Sequence, residues 1–136
     1  MINILVITHG EFGAYLVEAA EGIVGPQGDG VRCVGISSRT PVCEVRERIQ
    51  KAICELDTPG GIVILTDMPG GTPCNVAMPL SKDLPEVAVV SGVNLYMLVT
   101  AFNHRRSDSK EDLVEKVLDA GRRAIVDIKA KFLGRG

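Results

Sequence analysis

Four short runs of consecutive apolar residues, rich in Val and Ile, most constrain the fold of this chain. They occupy residues 2–8, 31–37, 61–67 and 86–92. Each run is hydrophobic at successive positions rather than at every second one, which is typical of strands covered on both faces of a parallel sheet. Helical patterns separate the runs, and strands that alternate with helices take right-handed crossovers. The sequence therefore predicts an α/β fold, a doubly wound, open and mostly parallel sheet with helices on both faces.

The segments between the runs show the spacing of amphipathic helices. Residues 12–24 predict a first helix, and apolar side chains are expected to form its buried face at Phe12, Leu16, Ala19, Ala20 and Ile23. A second helix follows Thr40 as N-cap and Pro41 as first helical residue. Its apolar positions on one side are Val42, Val45, Ile49, Ile53 and Leu56.

The C-terminal third predicts more helix. Residues 94–104, "NLYMLVTAFNH", favour a helix over a strand, although a short apolar run does not declare its period. Ser109 in "SKED" is a suitable N-cap for a last helix, because acids follow it at the positive end of the helix dipole. An apolar stripe predicts that this helix continues toward Phe132, with Gly134 as its end.

Length and charge exclude several classes of protein. A chain of 136 residues fits one domain, residues 1–136, with a single core. The net charge of -2 and the charged fraction of 24% do not favour binding to nucleic acid or to a membrane surface. No apolar run approaches the roughly 20 residues that cross a bilayer, and the N-terminus lacks a basic leader and a cleavage site. We therefore expect a cytoplasmic protein with no membrane insertion.

The four cysteines are expected to be buried free thiols rather than a metal or redox site. Cys33, Cys43, Cys54 and Cys74 form no CxxC pair and have no nearby histidine. This spacing is poor for zinc, and cysteine often packs as a small hydrophobic side chain. No metal site is predicted.

Two reactive side chains follow strands at positions that matter in this class of fold. His9 follows the first predicted strand and Asp67 follows the third. Ligands and chemistry in open α/β sheets gather outside the carboxyl ends of the strands, near the switch in strand order. If these two strands are neighbours, the carboxylate can accept the proton of one ring nitrogen and leave the other nitrogen free to attack. His9 and Asp67 are therefore the predicted catalytic pair.

The segment after Asp67 predicts an anion-binding helix start. Gly70 and Gly71 allow a tight turn, Thr72 can act as N-cap, and Pro73 suits the first helical position. The free amides of a helix N-terminus bind oxyanions such as phosphate. We expect this helix to end within about two turns, at Pro79, because proline breaks the helical hydrogen-bond ladder.

Gly10, Gly71 and Thr72 are the predicted phosphate-binding residues, with Gly10 keeping the approach to the imidazole open. Each part also has a plain structural explanation, since His and Asp are common in turns. Their conjunction at one sheet edge is what favours a phosphoryl or acyl reaction.

Other motifs are weaker. His104 in "NHRRSD" is expected in a solvated loop, and the neighbouring Arg105 and Arg106 could meet an acidic partner surface. "THGEFG" lacks the GxGxxG spacing of a dinucleotide site, and no Walker lysine is present. No cofactor is predicted, and a phosphoprotein is a simpler phosphoryl donor than ATP.

The combination of "THG" after the first strand, "LDTPGGIVILTDMPGGTPCNVA" and "VVSGVNLYMLV" resembles the enzyme IIA domain of the mannose-type sugar phosphotransferase system. The resemblance covers nearly the whole chain. It implies that His9 accepts a phosphoryl group from the phosphohistidine of a small phosphocarrier protein and passes it to an enzyme IIB partner, and that Asp67 orients His9. It also implies a sheet of four parallel strands and a homodimer that exchanges an antiparallel edge strand, which we do not locate in this sequence.

Other functions fit the same residues. The chain could be a regulatory module controlled by phosphorylation of His9 without sugar transport. It could also be the phosphotransferase subunit of dihydroxyacetone kinase, although "DMPGGTPCN" favours the mannose type. A flavodoxin-like binding module without catalysis is the third alternative.

Overall fold

The computed structural model describes residues 1–134 and contains one four-stranded sheet with helices on both faces. The strands are β1 (Asn3–His9), β2 (Val31–Ile36), β3 (Ile62–Thr66) and β4 (Val87–Val90). The helices are α1 (Phe12–Val24), α2 (Val42–Glu55), α3 (Thr72–Ser81), α4 (Leu95–His104), α5 (Lys110–Arg123) and α6 (Ile128–Phe132).

The sheet has the order β2-β1-β3-β4, and every pair of neighbouring strands is parallel. The four predicted strands are confirmed, with ends that differ by one or two residues. The helix predicted over residues 94–104 is also confirmed, and Asn94 caps it by accepting a hydrogen bond from the Met97 amide at 3.0 Å. The fold prediction of an open, doubly wound α/β sheet of four parallel strands is therefore correct.

Two hydrophobic layers cover the sheet. The side chains of alternate residues of β1, such as Ile4 and Val6, pack under α1, α4 and α5. The intervening residues Leu5 and Ile7 pack under α2 and α3 on the opposite face. Since His9 continues the alternation of Leu5 and Ile7, its side chain belongs to the face covered by α2 and α3.

The buried face of α1 differs from the predicted one. Of the five predicted residues, Ala20 is buried and Leu16 packs against the core, whereas Phe12, Ala19 and Ile23 are exposed. Gly13 and Val17 are the other buried residues of this helix. A Cβ on Gly13 would lie 2.9 Å from the Val6 side chain, so only glycine allows this close approach of the helix to β1. The pattern of large apolar residues missed this face because the contact depends on a residue without a side chain.

The starts of α2 and α3 are each shifted by one residue from the prediction. α2 begins at Val42 with Pro41 in the N-cap position, and Val42 is exposed. The Thr40 hydroxyl instead pairs with the hydroxyl of Ser37 at 3.2 Å. α3 begins at Thr72 with Gly71 as N-cap, so Pro73 is the second helical residue.

The prediction that Pro79 ends α3 is wrong, because the helix continues through Pro79 to Ser81. Proline removes the hydrogen bond that its amide would give to the carbonyl four residues earlier, at Asn75. Both Asn75 and Pro79 are exposed, so water can satisfy that carbonyl. A proline on the solvent side of a short helix is tolerated for this reason.

The prediction of one long C-terminal helix is also wrong in its second half. α5 ends at Arg123, and residues 124–127 separate it from the short α6. Asp127 starts a new helix by accepting a hydrogen bond from the Ala130 amide at 2.9 Å. Ile125 and Phe132 continue the apolar stripe in sequence but are more than 80% exposed. β-branched residues at 125 and 126 also have low helix propensity.

The cysteines are not buried as expected: Cys33, Cys43 and Cys54 are exposed, and Cys74 is half-buried. Cys43 and Cys54 lie on the side of α2 that faces away from the core, and Cys33 lies on the edge strand β2. No helix within residues 1–134 is long and apolar enough to cross a membrane.

The two arginines after α4 both donate hydrogen bonds to main-chain carbonyls of distant segments, although Arg106 remains exposed. Arg105 is fully buried, and its guanidinium donates to the Ile2 carbonyl at 2.9 Å and to the Asp29 carbonyl at 3.1 Å. Arg106 donates to the Gln27 carbonyl at 3.1 Å. His104 is the last residue of α4 and half-buried, so its prediction as a solvated loop residue is wrong.

Candidate active site

His9 and Asp67 lie side by side at the point where the strand order reverses. β1 is the central partner of both β2 and β3, and the chain leaves β1 toward β2 first and reaches β3 later. His9 is the last residue of β1, and Asp67 directly follows β3. The sequence prediction placed both residues at this edge on the condition that the two strands are neighbours, and the pairing of β1 with β3 meets it.

The Asp67 carboxylate accepts three hydrogen bonds. Its Oδ2 accepts from the His9 main-chain amide at 2.9 Å and lies 2.7 Å from His9 Nδ1. Its Oδ1 accepts from the Met68 amide at 2.9 Å. The main-chain bonds hold the carboxylate in place, so it presents a fixed acceptor to the imidazole.

This contact determines which ring nitrogen carries the proton. An ionised carboxylate can only accept, so His9 Nδ1 must be the donor. The lone pair of the neutral ring then belongs to Nε2. The His9 side chain is 51% exposed and that of Asp67 15%, so the ring is open to an approaching protein while the carboxylate is largely covered.

The hydrogen bonds also keep Asp67 ionised. Burial acts to raise the pKa of Asp67, but the bonds from the His9 amide and ring, with a smaller one from Met68, outweigh it and hold the pKa below its usual value. Because the pKa of Asp67 is lower in the folded state, this network stabilises the fold at pH values above the ordinary aspartate pKa. That stabilisation is lost as the pH falls through the folded-state pKa, so it is fully present at neutral pH.

The start of α3 lies against the imidazole. A Cβ built on Gly71 would be 3.0 Å from His9 Cε1 and 3.7 Å from Nε2. Gly71 is the N-cap of α3, so the first amides of this helix and the positive end of its dipole are next to the free ring nitrogen. Gly70 has a φ of 79°, which allows the tight turn before the helix.

Gly10 directly follows His9 and ties β1 to β2. Its amide donates to the Ile36 carbonyl at 2.8 Å, and its φ of 57° is in the left-handed region. A Cβ on Gly35 would be 2.4 Å from the Gly10 carbonyl oxygen, so the turn after His9 packs directly on β2. Thr8 adds a support that sequence reasoning missed: its buried hydroxyl accepts from the Gly13 amide at 2.8 Å and anchors the first turn of α1.

The structure thus brings together His9, Asp67, Gly10, Gly71 and Thr72, all five of the predicted site residues, at one edge of the sheet. Within residues 1–134, no group of three or more His, Cys, Asp or Glu side chains is arranged to hold a metal ion.

Comparison with known proteins gives the class to which this site belongs. The sequence model of the family described as "PTS system fructose IIA component" matches residues 3–118. The chain is 31% identical over 131 residues to the mannose-specific EIIAB component of the phosphotransferase system from Escherichia coli K12. That alignment covers 96% of this chain and 40% of the relative, so the chain spans less than half the length of that protein.

Solved structures agree in fold. The phosphotransferase system component EIIA from Streptococcus agalactiae is 32% identical with a TM-score of 0.85, covering 96% of this chain and 99% of that one. The IIA protein associated with the fucose utilization operon of Streptococcus pneumoniae is 28% identical with a TM-score of 0.88, covering 96% of both chains. This chain therefore belongs to the IIA components of the phosphotransferase system, of the mannose and fructose type. The resemblance inferred from the sequence is confirmed, and IIA components are phosphotransferase components.

Proposed function

We propose that the chain carries a phosphoryl group on His9, which it receives from the phosphohistidine of a phosphocarrier protein and passes to an enzyme IIB partner. The observation that carries this proposal is the 2.7 Å contact between Asp67 Oδ2 and His9 Nδ1, on a ring that is half exposed. The contact makes Nε2 a nucleophile that another protein can reach. Membership in the IIA family supports the same reaction.

The transfer needs one bond to form and one to break. The lone pair of His9 Nε2 attacks phosphorus in line, and the bond between phosphorus and the donor's imidazole nitrogen breaks, its electron pair returning to that nitrogen. His9 Nδ1 keeps its proton, and the positive charge that develops on the ring is stabilised by the Asp67 carboxylate. No proton has to leave the site, so the reaction reverses readily when an acceptor histidine or cysteine replaces the donor.

The phosphoryl oxygens fit the start of α3. We assign the amides after Gly71, the Thr72 hydroxyl and the open turn at Gly10 to this role, because Gly71 lies so near the ring that a Cβ on it would be 3.0 Å from His9 Cε1. Free amides at a helix N-terminus stabilise the negative charge spread over the transferring oxygens.

Partners and setting follow from the same proposal. The Escherichia coli relative is named as a joined EIIAB protein, and a IIB domain, fused or separate, is the acceptor that we propose here. We propose that residues 1–136 form one IIA domain that works in the cytoplasm. The charge of -2 offers no reason to expect nucleic acid or a membrane surface as a partner.

We also propose that the protein is a homodimer with an exchanged edge strand. β4 is the last strand of the sheet, and its outer edge pairs with no strand among residues 1–134. Next to α4, an apolar groove of about 480 Å³ is lined by Ile23, Leu95, Tyr96 and Val99 and ends at Ala124. The segment that follows Ala124 exposes Ile125 and Ile128. A second copy that covered the open edge of β4 and these apolar side chains would remove both from water.

The test is to incubate the protein with phosphoenolpyruvate and the general phosphotransferase components and to read the intact mass. One acid-labile phosphoryl group is expected on the unmodified protein. His9→Ala should take up none, whereas His104→Gln, which changes the other of the two histidines, should still be labelled. Labelling of the His9→Ala variant would contradict the assignment.

A further inference from the structure

The imidazole of His9 has two flanks, of which the start of α3 covers one. The other flank is the loop that follows β2. His9 is in register with Ile36, the last residue of β2, and the Gly10 amide donates to the Ile36 carbonyl at 2.8 Å. The chain therefore leaves β2 at the level of His9. It then crosses to α2, which lies on the face of the sheet toward which the His9 side chain points.

This loop is a tight turn with Arg39 near its tip. The Thr40 amide donates to the Ser37 carbonyl at 3.1 Å, and the Ser37 hydroxyl accepts from the Arg39 amide at 3.1 Å. The hydroxyls of Ser37 and Thr40 are also paired. These bonds give the turn a defined shape, which sets the direction in which Arg39 leaves the backbone.

Arg39 is close enough to reach the ring. Neighbouring strands are about 4.8 Å apart. Three residues of extended chain span at most about 11 Å, and the turn between Ser37 and Thr40 shortens that distance. A long arginine side chain starting there can reach a group on Nε2 of His9.

The guanidinium of Arg39 is available for such a contact. The residue is exposed, and its side chain makes no hydrogen bond or ion pair with any of residues 1–134. Arg48, also near the end of β2, is different because it donates to the Gly35 carbonyl at 3.0 Å. Since the next carbonyl, that of Ile36, points toward β1, the Gly35 carbonyl and Arg48 lie on the outer side of the sheet edge.

The negative charges around a phosphorylated His9 favour a cation on the β2 side of the ring. A phosphohistidine brings about two negative charges next to the Asp67 carboxylate. The helix dipole of α3 acts only from the opposite flank. A guanidinium matches phosphate geometry and can donate two hydrogen bonds to its oxygens.

We infer that Arg39 binds the phosphoryl group on His9 from the β2 side, opposite the start of α3. This inference rests on the proposed function, and it adds a residue to the phosphate site that the motif around Asp67 does not contain. Arg39 contacts the transferred group itself and has no part in orienting the imidazole.

The test uses a donor that needs no partner protein. In a His104→Gln background, which leaves His9 as the sole histidine of the 136 residues, potassium phosphoramidate phosphorylates the protein directly. The labelling rate is followed by intact mass, and the ³¹P NMR shift of the phosphohistidine is recorded. Arg39→Gln and Arg39→Lys are compared with Arg46→Gln, a matched charge change at an exposed residue of α2 whose side chain is unpaired within the described chain.

Arg39→Gln should lower the labelling rate roughly tenfold, the loss expected when one charge-assisted contact is removed, and should move the ³¹P signal. Arg39→Lys should recover part of the rate, and Arg46→Gln should match the parent protein. Melting temperatures should agree in all variants because both arginines are exposed.

Equal rates and equal ³¹P shifts for Arg39→Gln and Arg46→Gln would overturn the inference, whether both variants are slow or both are normal. A parent protein that phosphoramidate does not label would overturn it together with the nucleophilic role of His9. If phosphoramidate labels His9 but the phosphocarrier protein does not, the proposed function fails while the role of Arg39 is still read from the variants.

Discussion

Replacing Asp67 by Asn removes the charge from a carboxylate that accepts three hydrogen bonds at once. Asn has one acceptor oxygen and one amino group, so it cannot accept all three. If its oxygen takes the place of Oδ2, it still accepts from the His9 amide and Nδ1, but its amino group then faces the Met68 amide, now 2.9 Å from Oδ1. If the amide is reversed, its amino group faces the His9 amide and donates to Nδ1, which moves the ring proton to Nε2 and blocks the nucleophile.

The first arrangement slows phosphoryl transfer less than the second, so it sets the minimum effect of the substitution on the rate. The ring keeps the correct tautomer, but the positive charge that develops on it faces a neutral oxygen in place of a carboxylate. A hydrogen bond to a charged group contributes about 1.5–3 kcal/mol. The first arrangement keeps a hydrogen bond to a neutral oxygen, which contributes about 0.5–1.5 kcal/mol. The exchange therefore costs about 1–1.5 kcal/mol in the transition state and slows transfer roughly 5- to 13-fold, at 1.36 kcal/mol for each factor of ten.

The assay is the rate at which the phosphorylated phosphocarrier protein labels Asp67→Asn, measured by rapid quench and intact mass. Asp83→Asn, at an exposed residue just after α3, makes the same change in net charge and should transfer at the normal rate. Circular dichroism should show that both variants are folded. Normal transfer by folded Asp67→Asn would refute the reasoning that the carboxylate makes Nε2 nucleophilic.

Two further substitutions test the surroundings of the site and the opposite end of the sheet. Gly71→Ala should slow transfer about three- to tenfold in the same assay with little change in melting temperature, because its φ of -85° suits alanine but the new Cβ, 3.0 Å from His9 Cε1, displaces the ring by a few tenths of an ångström. A Gly71→Ala variant with normal transfer would show that the ring tolerates this displacement. Arg105→Met should lower the free energy of unfolding in urea by about 2–4 kcal/mol, because it leaves the buried acceptors around the guanidinium unpaired, while Arg106→Met, at a residue with one such bond, should cost less. Equal losses for the two arginines would contradict this account of the buried guanidinium.

The positions of the candidate site residues could be predicted from the sequence because they depend on local features. Strands with consecutive apolar residues end abruptly, and the sheet itself places the ionisable side chains at their carboxyl ends, His9 and Asp67. Parallel strands bring their carboxyl ends to one edge, so only the pairing of β1 with β3 had to be assumed. The glycines and proline after Asp67 predicted a helix start for equally local reasons, with an error of one residue.

The errors arose where tertiary contacts decide. The face of α1 depends on Gly13, whose missing side chain lets the helix approach Val6, and a hydrophobic pattern does not register a missing side chain. Pro79 is tolerated because the carbonyl it leaves free faces water, which the sequence does not show. The stripe beyond Arg123 reads as helix in sequence, yet among residues 1–134 it has no surface to cover, and Ile125 is exposed.

The burial of Arg105 is also decided by tertiary contacts that the sequence does not show. It explains how the sheet can carry a charged site at its other end. "HRRSD" is typical of a solvated turn, but the first arginine is buried by acceptors from distant segments, among them the Ile2 and Asp29 carbonyls. These groups precede β1 and β2, so Arg105 holds together the amino ends of the strands, and His9 lies at the carboxyl end of β1. Because the core and this guanidinium hold the strands, the carboxyl edge can keep an exposed imidazole, free helix amides and an exposed Arg39, the groups that we propose bind the phosphoryl group. Each of those groups would cost stability if it were buried.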